Sequence, residues 1–169
     1  MSRNRRIVKR RIGEILVAEK LLAEADVVKA NAEQKRLKDY LVPTLVHLGW
    51  LTEAQIAKAF ITQLSLPYLN LDNYEINGDV LNIFPLRMLQ EYQFVPIDTV
   101  SGILLIATAS LISPDQLSEL EMISRMKVMC YVTTLTSFRN VLTAKFKQTD
   151  GQADQLSNLG AMLLMDSTD

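Results

Sequence analysis

The sequence predicts an α+β fold in which a helical subdomain precedes a small βαββαβα-like subdomain. Up to about residue 65 the apolar residues recur at helical spacing, whereas after Leu66-Pro67 they form short runs separated by turn-forming residues, as in strands. A 24-residue pattern also occurs twice in the first part, which indicates a duplicated helix-turn-helix unit. The predicted organisation is a basic arm at 1–10, the helical duplicated-motif subdomain at 11–65, the α+β subdomain at 66–147 and an acidic tail at 148–169.

The helical elements follow from local start and stop signals. Apolar residues from Ile12 to Leu16 form a first helix, a break follows near residue 22, and strong helix formers then run from Glu24 to Leu37. Pro43 is tolerable only in the first turn of the next helix, and Gly49 is a natural stop for it. Thr52, with Gln55 three residues on, predicts a capping box at the start of a fourth helix.

The second half alternates short strands and helices. Pro85 marks the start of a helix, and a turn at Ser101-Gly102 joins two strand-like runs. The predicted order is strand 67–71, helix 84–93, strands 94–98 and 102–109, helix 113–126, strand 127–135 and helix 136–148.

Composition excludes several classes of protein. The chain has 169 residues, of which 49% are hydrophobic and 22% charged, so it is globular and not disordered. No apolar run reaches the roughly 18 residues that span a bilayer, and no apolar region follows the basic N-terminus as in a secretory signal. The single cysteine, Cys130, cannot form an internal disulfide, and its apolar neighbours predict a buried small residue.

Charge is distributed unevenly along the chain. Residues 1–12 carry six of the 18 basic residues and no acid, although the net charge of the chain is −1. Such an arm can bind phosphates or an anionic membrane surface, or it can be a solvated terminus. In the tail, Leu156, Leu159 and Leu163 are spaced so that they could form one apolar stripe of a helix. A frayed end is equally compatible with this segment.

The repeat consists of residues 11–34 and 40–63, which align at an offset of 29. Composition alone would give roughly one or two identities in 24 positions. There are seven identities: Leu16/Leu45, Val17/Val46, Glu24/Glu53, Ala25/Ala54, Lys29/Lys58, Ala30/Ala59 and Gln34/Gln63. Packing of two such units explains the apolar matches. It explains neither the paired glutamines nor the opening Arg11-Ile12-Gly13.

The two copies resemble the motif R-L-G-x-x-L-V-x-x-G-x-I-x-x-x-x-L-x-x-A-L-x-x-Q, which occurs as two copies five residues apart. This motif is typical of the N-terminal domain of type II secretion and type IV pilus assembly ATPases, of the GspE N-terminal or MshEN type. The second half is similar to the same family, since Phe84-Pro85, Val95-Pro96-Ile97, Leu104–Ala107 and Lys127-Val128 fall at its characteristic elements. The resemblance covers about residues 10–147.

The resemblance implies a cyclic di-GMP site and no cofactor or metal. An arginine can donate a bidentate pair to guanine or phosphate, a glycine permits close approach of the ligand, and a glutamine amide offers a donor and an acceptor. The implied binding residues are Arg11, Ile12, Gly13, Leu16, Val17 and Gln34 in the first copy, and Tyr40, Leu41, Gly49 and Gln63 in the second.

Departures from the motif indicate weak or lost binding of this ligand. Lys20 stands at the second glycine of the first copy, and Tyr40, Leu41 and Val42 stand where the second copy would have Arg-Leu-Gly. Loss of one charged bidentate contact costs about 1–3 kcal/mol. The turns Ser110-Leu111 and Ser124-Arg125 also depart from the family's usual D-P and T-G.

The expected function is therefore that of a non-catalytic regulatory or docking domain that joins an assembly ATPase to its inner-membrane platform. The sequence contains no Walker A motif and no nucleophile–base set, and its only histidine, His47, cannot form a metal site alone. The expected partners are the ATPase or the cytoplasmic domain of a platform protein, and the expected location is the cytoplasm, including a peripheral position at the inner membrane.

Two other functions compete with docking. One is a cyclic di-GMP receptor proper. The other is a helix-turn-helix DNA-binding protein. This function is disfavoured because the recognition helix would offer a single basic side chain, Lys58, for contacts with DNA. Trp50 is predicted to lie on a ligand-facing or partner-facing rim, and a core position between the two copies is the alternative.

Overall fold

The computed structural model describes residues 10–147 and confirms the α+β class. Four helices come first: α1 (Ile12–Ala18), α2 (Glu24–Leu37), α3 (Leu41–His47) and α4 (Glu53–Leu64). Two 3₁₀ turns follow, Leu71–Asn73 and Val80–Asn82. The remaining elements are α5 (Leu86–Tyr92), β1 (Phe94–Val100), β2 (Ile103–Thr108), α6 (Pro114–Ser124), β3 (Lys127–Val132) and α7 (Leu135–Lys147).

The repeat is present in the backbone. Helices α1 and α3 have the same length, and their first residues are 29 positions apart. The first residues of α2 and α4 are also 29 positions apart. Both short helices end in the same way, with a left-handed residue, Lys20 (φ 59°) or Gly49 (φ 68°), whose N–H bonds back to Val17 or Val46. The duplicated helix-turn-helix is therefore confirmed.

The two copies pack in an interleaved manner. Helix α1 packs against α4, and α2 packs against α3, so each copy completes the other. The matched pairs Leu16/Leu45 and Ala30/Ala59 lie in the shared core with at most 1% of their surface exposed. Burial of these side chains explains why both copies keep them, since each buried leucine contributes about 1.5–3 kcal/mol.

The sheet has the order β1-β2-β3. Strands β1 and β2 are antiparallel through the predicted turn at Ser101-Gly102, and β3 runs parallel to β2 after the crossover helix α6. Core residues contributed by the sheet and by the helices around it include Phe94, Leu104, Ile106, Leu120 and Phe138.

The predicted strand at 67–71 is wrong. Only one parallel bridge forms there, between Tyr68 and Val132. Pro67 has no N–H to extend the ladder, and the Asn70 side chain accepts a bond from the Asp72 N–H, which starts a 3₁₀ turn. The predicted βαββαβα order is thereby reduced to αββαβα.

Strand β3 also ends earlier than predicted, at Val132 and not at residue 135. Thr134 stops the strand because its hydroxyl accepts a bond from the Ser137 N–H at 3.2 Å, which caps α7. As a result α7 begins at Leu135, with its first turn beside α4.

The helical and mixed parts meet where α4 packs against β3. Val132 belongs to the core of the helical part, and Leu66 packs against both cores. Glu53 of α4 accepts two bonds from Thr136, from its N–H at 3.0 Å and from its hydroxyl at 2.8 Å. This contact joins the first turn of α4 to the first turn of α7. The exact subdomain boundaries remain a prediction.

Candidate functional site

The predicted binding residues lie at the ends of the four N-terminal helices. Arg11 and Tyr40 precede α1 and α3 as their N-caps, and both are exposed. Gln34 and Gln63 lie in the last turns of α2 and α4, and both are half-buried. Because α4 packs against α1, the structure places the glutamine of the second copy beside the first copy.

The Gln63 amide is engaged on both sides. Arg10 Nη1 donates to its Oε1 at 2.8 Å, and its Nε2 donates to Glu19 Oε1 at 2.6 Å. The glutamine that the motif assigns to the ligand therefore already has an acceptor and a donor within the protein. Sequence reasoning missed Arg10 and Glu19, since both fall at positions that the motif leaves unspecified or outside it.

Three predicted residues have packing roles in this arrangement. Leu16 is fully buried and offers no surface to a purine. Gly13 is also buried, and a Cβ added to it would lie 2.5 Å from Val27 Cγ1, so a larger residue here would have to displace the Val27 side chain and the glycine favours the close contact of α1 with α2. Gly49 caps α3 with its positive φ and has open space around its Cα. Ile12, Val17 and Leu41 are half-buried.

Tyr40 replaces the arginine of the second copy, and its surroundings differ from those of Arg11. Burial raises the pKa of its hydroxyl, as do the charges of Glu91 and Asp39, while Arg87 of α5 opposes them. The residue thus lies within electrostatic range of the mixed subdomain. A single phenol cannot supply the fork that a guanidinium gives.

A cleft of about 390 Å³ opens between α1 and α2. It is lined by Gly13, Glu14, Val17, Ala18, Glu24 and Val27. Two of these, Gly13 and Val17, are predicted binding residues, but the charged groups of the lining are the exposed carboxylates Glu14 and Glu24. An acidic lining disfavours a phosphate ligand, and no signal in the sequence marked this cleft.

Three other residues singled out in the sequence lie outside this cleft. Trp50 is 37% exposed, which confirms the partial exposure predicted for it over a core position, whereas its facing a ligand or partner stays a prediction. His47 is exposed. Cys130 is buried, and burial raises its pKa to about 12, so the thiol is not an activated nucleophile.

Acidic side chains of α6 serve structural contacts. Glu119 accepts a bond from the Tyr92 hydroxyl at 2.5 Å, which raises the pKa of Tyr92 to about 12. Glu121 is half-buried, accepts a bond from the Val128 N–H and pairs with Lys127. Across residues 10–147, no three His, Cys, Asp or Glu side chains are placed to hold a metal ion. The helices in this range are too short or too polar to cross a membrane.

Two curated relatives are similar to this chain. Type IV pilus assembly ATPase PilB of Myxococcus xanthus is 22% identical over 132 residues, which cover 78% of this chain and 23% of PilB. PilB of Thermus thermophilus is 24% identical over 165 residues, or 92% of this chain and 19% of the relative. The chain therefore spans less than a quarter of the length of these ATPases.

Solved structures have the same fold. The structure of MshE with cyclic di-GMP (cdg) has 23% identity and a TM-score of 0.58, and covers 81% of this chain and 99% of that one. The N-terminal domain of XpsE has 18% identity and a TM-score of 0.53, with 80% and 98% covered. The MshEN domain family matches residues 64–152, which lie after the double motif. The chain belongs to the MshEN domain family.

Proposed function

We propose that this chain is a non-catalytic docking and regulatory domain of a type IV pilus or type II secretion system, in which cyclic di-GMP binding is weak or lost. In this role it joins an assembly ATPase to the cytoplasmic part of the inner-membrane platform. Family membership and the PilB relatives support a place in such a system. The MshE structure with cyclic di-GMP makes that nucleotide the ligand to test.

The observation that carries the proposal is the engaged Gln63 amide. Arg10 and Glu19 each take one of the two bonds that either end of this amide can make, so a guanine would find one lone pair and one N–H left for it. The Glu19 carboxylate, 2.6 Å from the amide nitrogen, would also lie near the phosphates of a dinucleotide held there. Tyr40 also stands where the motif has its second arginine. The bonds of Gln63 and the loss of this arginine both disfavour cyclic di-GMP.

A cyclic di-GMP receptor is the second candidate, and one observation favours it. Arg10 and Arg11 are both exposed at the start of α1, and Arg10 already reaches the glutamine of the motif. If Glu19 released the Gln63 amide, the guanidinium groups of Arg10 and Arg11 and this amide would be available together to the nucleotide. A DNA-binding role for α4 is disfavoured further, because Ile56, Ala57 and Phe60 of that helix are buried.

Titration calorimetry with cyclic di-GMP on the purified chain tests the ligand. We expect no binding, or binding at least about ten-fold weaker than that of the Tyr40→Arg variant, which restores the missing fork. Glu19→Gln should strengthen binding, whereas Glu75→Gln, an exposed acid in the mixed subdomain, is the matched control. Sub-micromolar binding that survives Arg11→Ala would mean that the wrong residues are assigned. Sub-micromolar binding that Arg11→Ala abolishes would mean that the second arginine is not needed.

Docking is tested separately with the purified cytoplasmic domain of a platform protein from the same system. We expect a stable complex with the chain in the absence of nucleotide. The absence of any complex, with or without cyclic di-GMP, would contradict the docking role.

A further inference from the structure

We propose that the cleft between α1 and α2 binds the N-terminal turn of a helix from a partner protein, one that carries an aliphatic residue followed by serine or threonine. The inference rests on the proposed docking function and assigns its surface. It is derived from the internal repeat, because the equivalent face of the second copy already holds such a helix start.

The second copy shows the occupied state. Its helix α4 presents Glu53, Ile56, Ala57 and Phe60 on one face, and the three apolar residues are at most 6% exposed. Residues of the segment that leads into α7, Thr133, Thr134 and Leu135, lie against this face and leave a cavity of only about 10 Å³. Glu53 accepts bonds from the N–H and the hydroxyl of Thr136 in the first turn of α7.

The first copy presents the corresponding face uncovered by the described residues. At an offset of 29, Glu24, Val27, Val28 and Asn31 of α2 correspond to Glu53, Ile56, Ala57 and Phe60, so the first copy has a polar residue in the place of the phenylalanine. Glu24 is exposed, and Val28 has 69% of its surface exposed where Ala57 has 6%. Glu24 and Val27 also line the 390 Å³ cleft, as Glu53 and Ile56 line the filled one.

Charge specifies the end of the helix that fits. The first turn of a helix has free N–H groups and the positive end of the helix dipole. The exposed carboxylates Glu14 and Glu24 line the cleft and complement that charge. They would repel a phosphate or an acidic peptide. Apolar surface on Val17, Ala18 and Val27 in the same cleft suits an aliphatic side chain.

The start of α7 in the same chain is already engaged with Glu53, so it is not free to fill the second cleft. Its sequence can, however, serve as the probe. A synthetic peptide of residues 132–147, which contains Thr134, Leu135 and Thr136, carries the required chemistry and is matched by variants with Leu135→Ala or Thr136→Ala.

Nuclear magnetic resonance titration of the labelled full chain with this peptide tests the site. We expect saturable shifts confined to α1 and α2, above all at Glu24, Val27 and Val28. Glu24→Gln in the protein, or Thr136→Ala in the peptide, should weaken binding by about ten-fold or more, since a charged hydrogen bond is lost. Glu75→Gln should leave binding unchanged. Glu24 and Glu75 are exposed, so neither variant threatens the fold.

Other outcomes would overturn the inference. These are the absence of binding at millimolar peptide, shifts at the sheet or α5, and binding that is unaffected by Glu24→Gln. Peptide binding that competes with self-association of the chain would assign the cleft to a second copy instead of a partner protein.

The platform complex separates this inference from the docking role. If the wild-type chain binds the platform domain and Glu24→Gln binds it equally well, docking stands and the cleft is not its surface. If the platform domain never binds, docking fails, while the peptide titration still decides whether the cleft accepts a helix start.

Discussion

Lys20 and Gly49 occupy one position of the two copies, and both have a left-handed backbone, with φ of 59° and 68°. A side chain in this conformation costs about 1 kcal/mol relative to glycine. We expect Gly49→Lys to destabilise the chain by about 1 kcal/mol and Lys20→Gly to stabilise it by a smaller amount, because glycine also gains entropy in the unfolded chain. Urea unfolding of both variants measures the difference. If Gly49→Lys and Lys20→Gly changed the free energy of unfolding equally and with the same sign, the left-handed backbone at the helix end would not be the cause.

Cys130 is predicted to be inert in the folded chain. Burial raises its pKa to about 12, so the thiolate is scarce at pH 8, whereas an unfolded thiol titrates near 8.5. We expect negligible reaction with a thiol reagent at pH 8 and rapid reaction in denaturing urea. Because the folded pKa is the higher one, the contribution of this thiol to stability is complete below about pH 8.5 and falls as the pH rises towards 12. Fast reaction of the native chain would contradict the buried position.

The arrangement of the candidate binding residues was only partly predictable from the sequence. The positions of Arg11, Tyr40 and the two glutamines at helix ends follow from motif spacing. The bonds of Gln63 do not, because they depend on α4 packing against α1, which brings residues 44 and 53 positions apart into contact. Glu19 lies at an unspecified position of the motif, so spacing gave it no signal.

Hydrogen bonds between α4 and α7 add to the packing of α4 on β3 that joins the two parts. Glu53 is half-buried and makes a charged hydrogen bond to the Thr136 N–H and another to its hydroxyl. We expect Glu53→Gln and Thr136→Ala each to destabilise the chain, with a coupling energy of about 1 kcal/mol in a double-mutant cycle. Glu24→Gln is the matched control, since it is the same change at the equivalent exposed position. Additive effects of Glu53→Gln and Thr136→Ala would exclude a direct interaction.

Helices with strong local start signals were predicted well. Segments in which strand propensity competes with a turn or a helix cap were not. Thr52 starts its helix with the capping box that the sequence indicates, and the predicted helix from residue 113 begins at a second capping box, that of Ser113. At 67–71 the apolar alternation favours a strand, but Pro67 and the Asn70 turn prevent a ladder. At Thr134 strand propensity competes with a helix cap, and the cap prevails because the chain turns there to pack on α4.

At the scale of the whole molecule, we expect the helical and mixed parts to unfold together in one cooperative transition. The core of the helical part includes Val132 of β3, and Leu66 packs against both cores, so neither part buries its apolar surface alone. Trp50, which is 37% exposed, reports on the helical part by fluorescence, and circular dichroism reports on all helices. The two signals should change at the same urea concentration, and acrylamide should quench Trp50 before unfolding. Separate midpoints would show that the parts unfold independently.

The α+β class and the duplication were predictable because they rest on periodicity, which survives changes of single residues. The interleaved pairing of α1 with α4 and α2 with α3 was not, since an apolar stripe does not specify which other stripe covers it. The same limit applies to the faces of α2 and α4. Val27 and Val28 match Ile56 and Ala57, yet the structure buries Ile56 and Ala57 and leaves Val28 exposed, and α2 has the polar Asn31 in the place of Phe60.

The coverage of the α4 face by the start of α7 also determines stoichiometry. A duplicated unit with two free faces would be bivalent and could crosslink its partners into a network. Here Ile56, Ala57 and Phe60 are enclosed within the same chain, and of these two faces the one on α2 is left uncovered by residues 10–147. Each copy of the domain would then recruit one partner through this repeat, so the number of partners bound there would equal the number of subunits in an assembly.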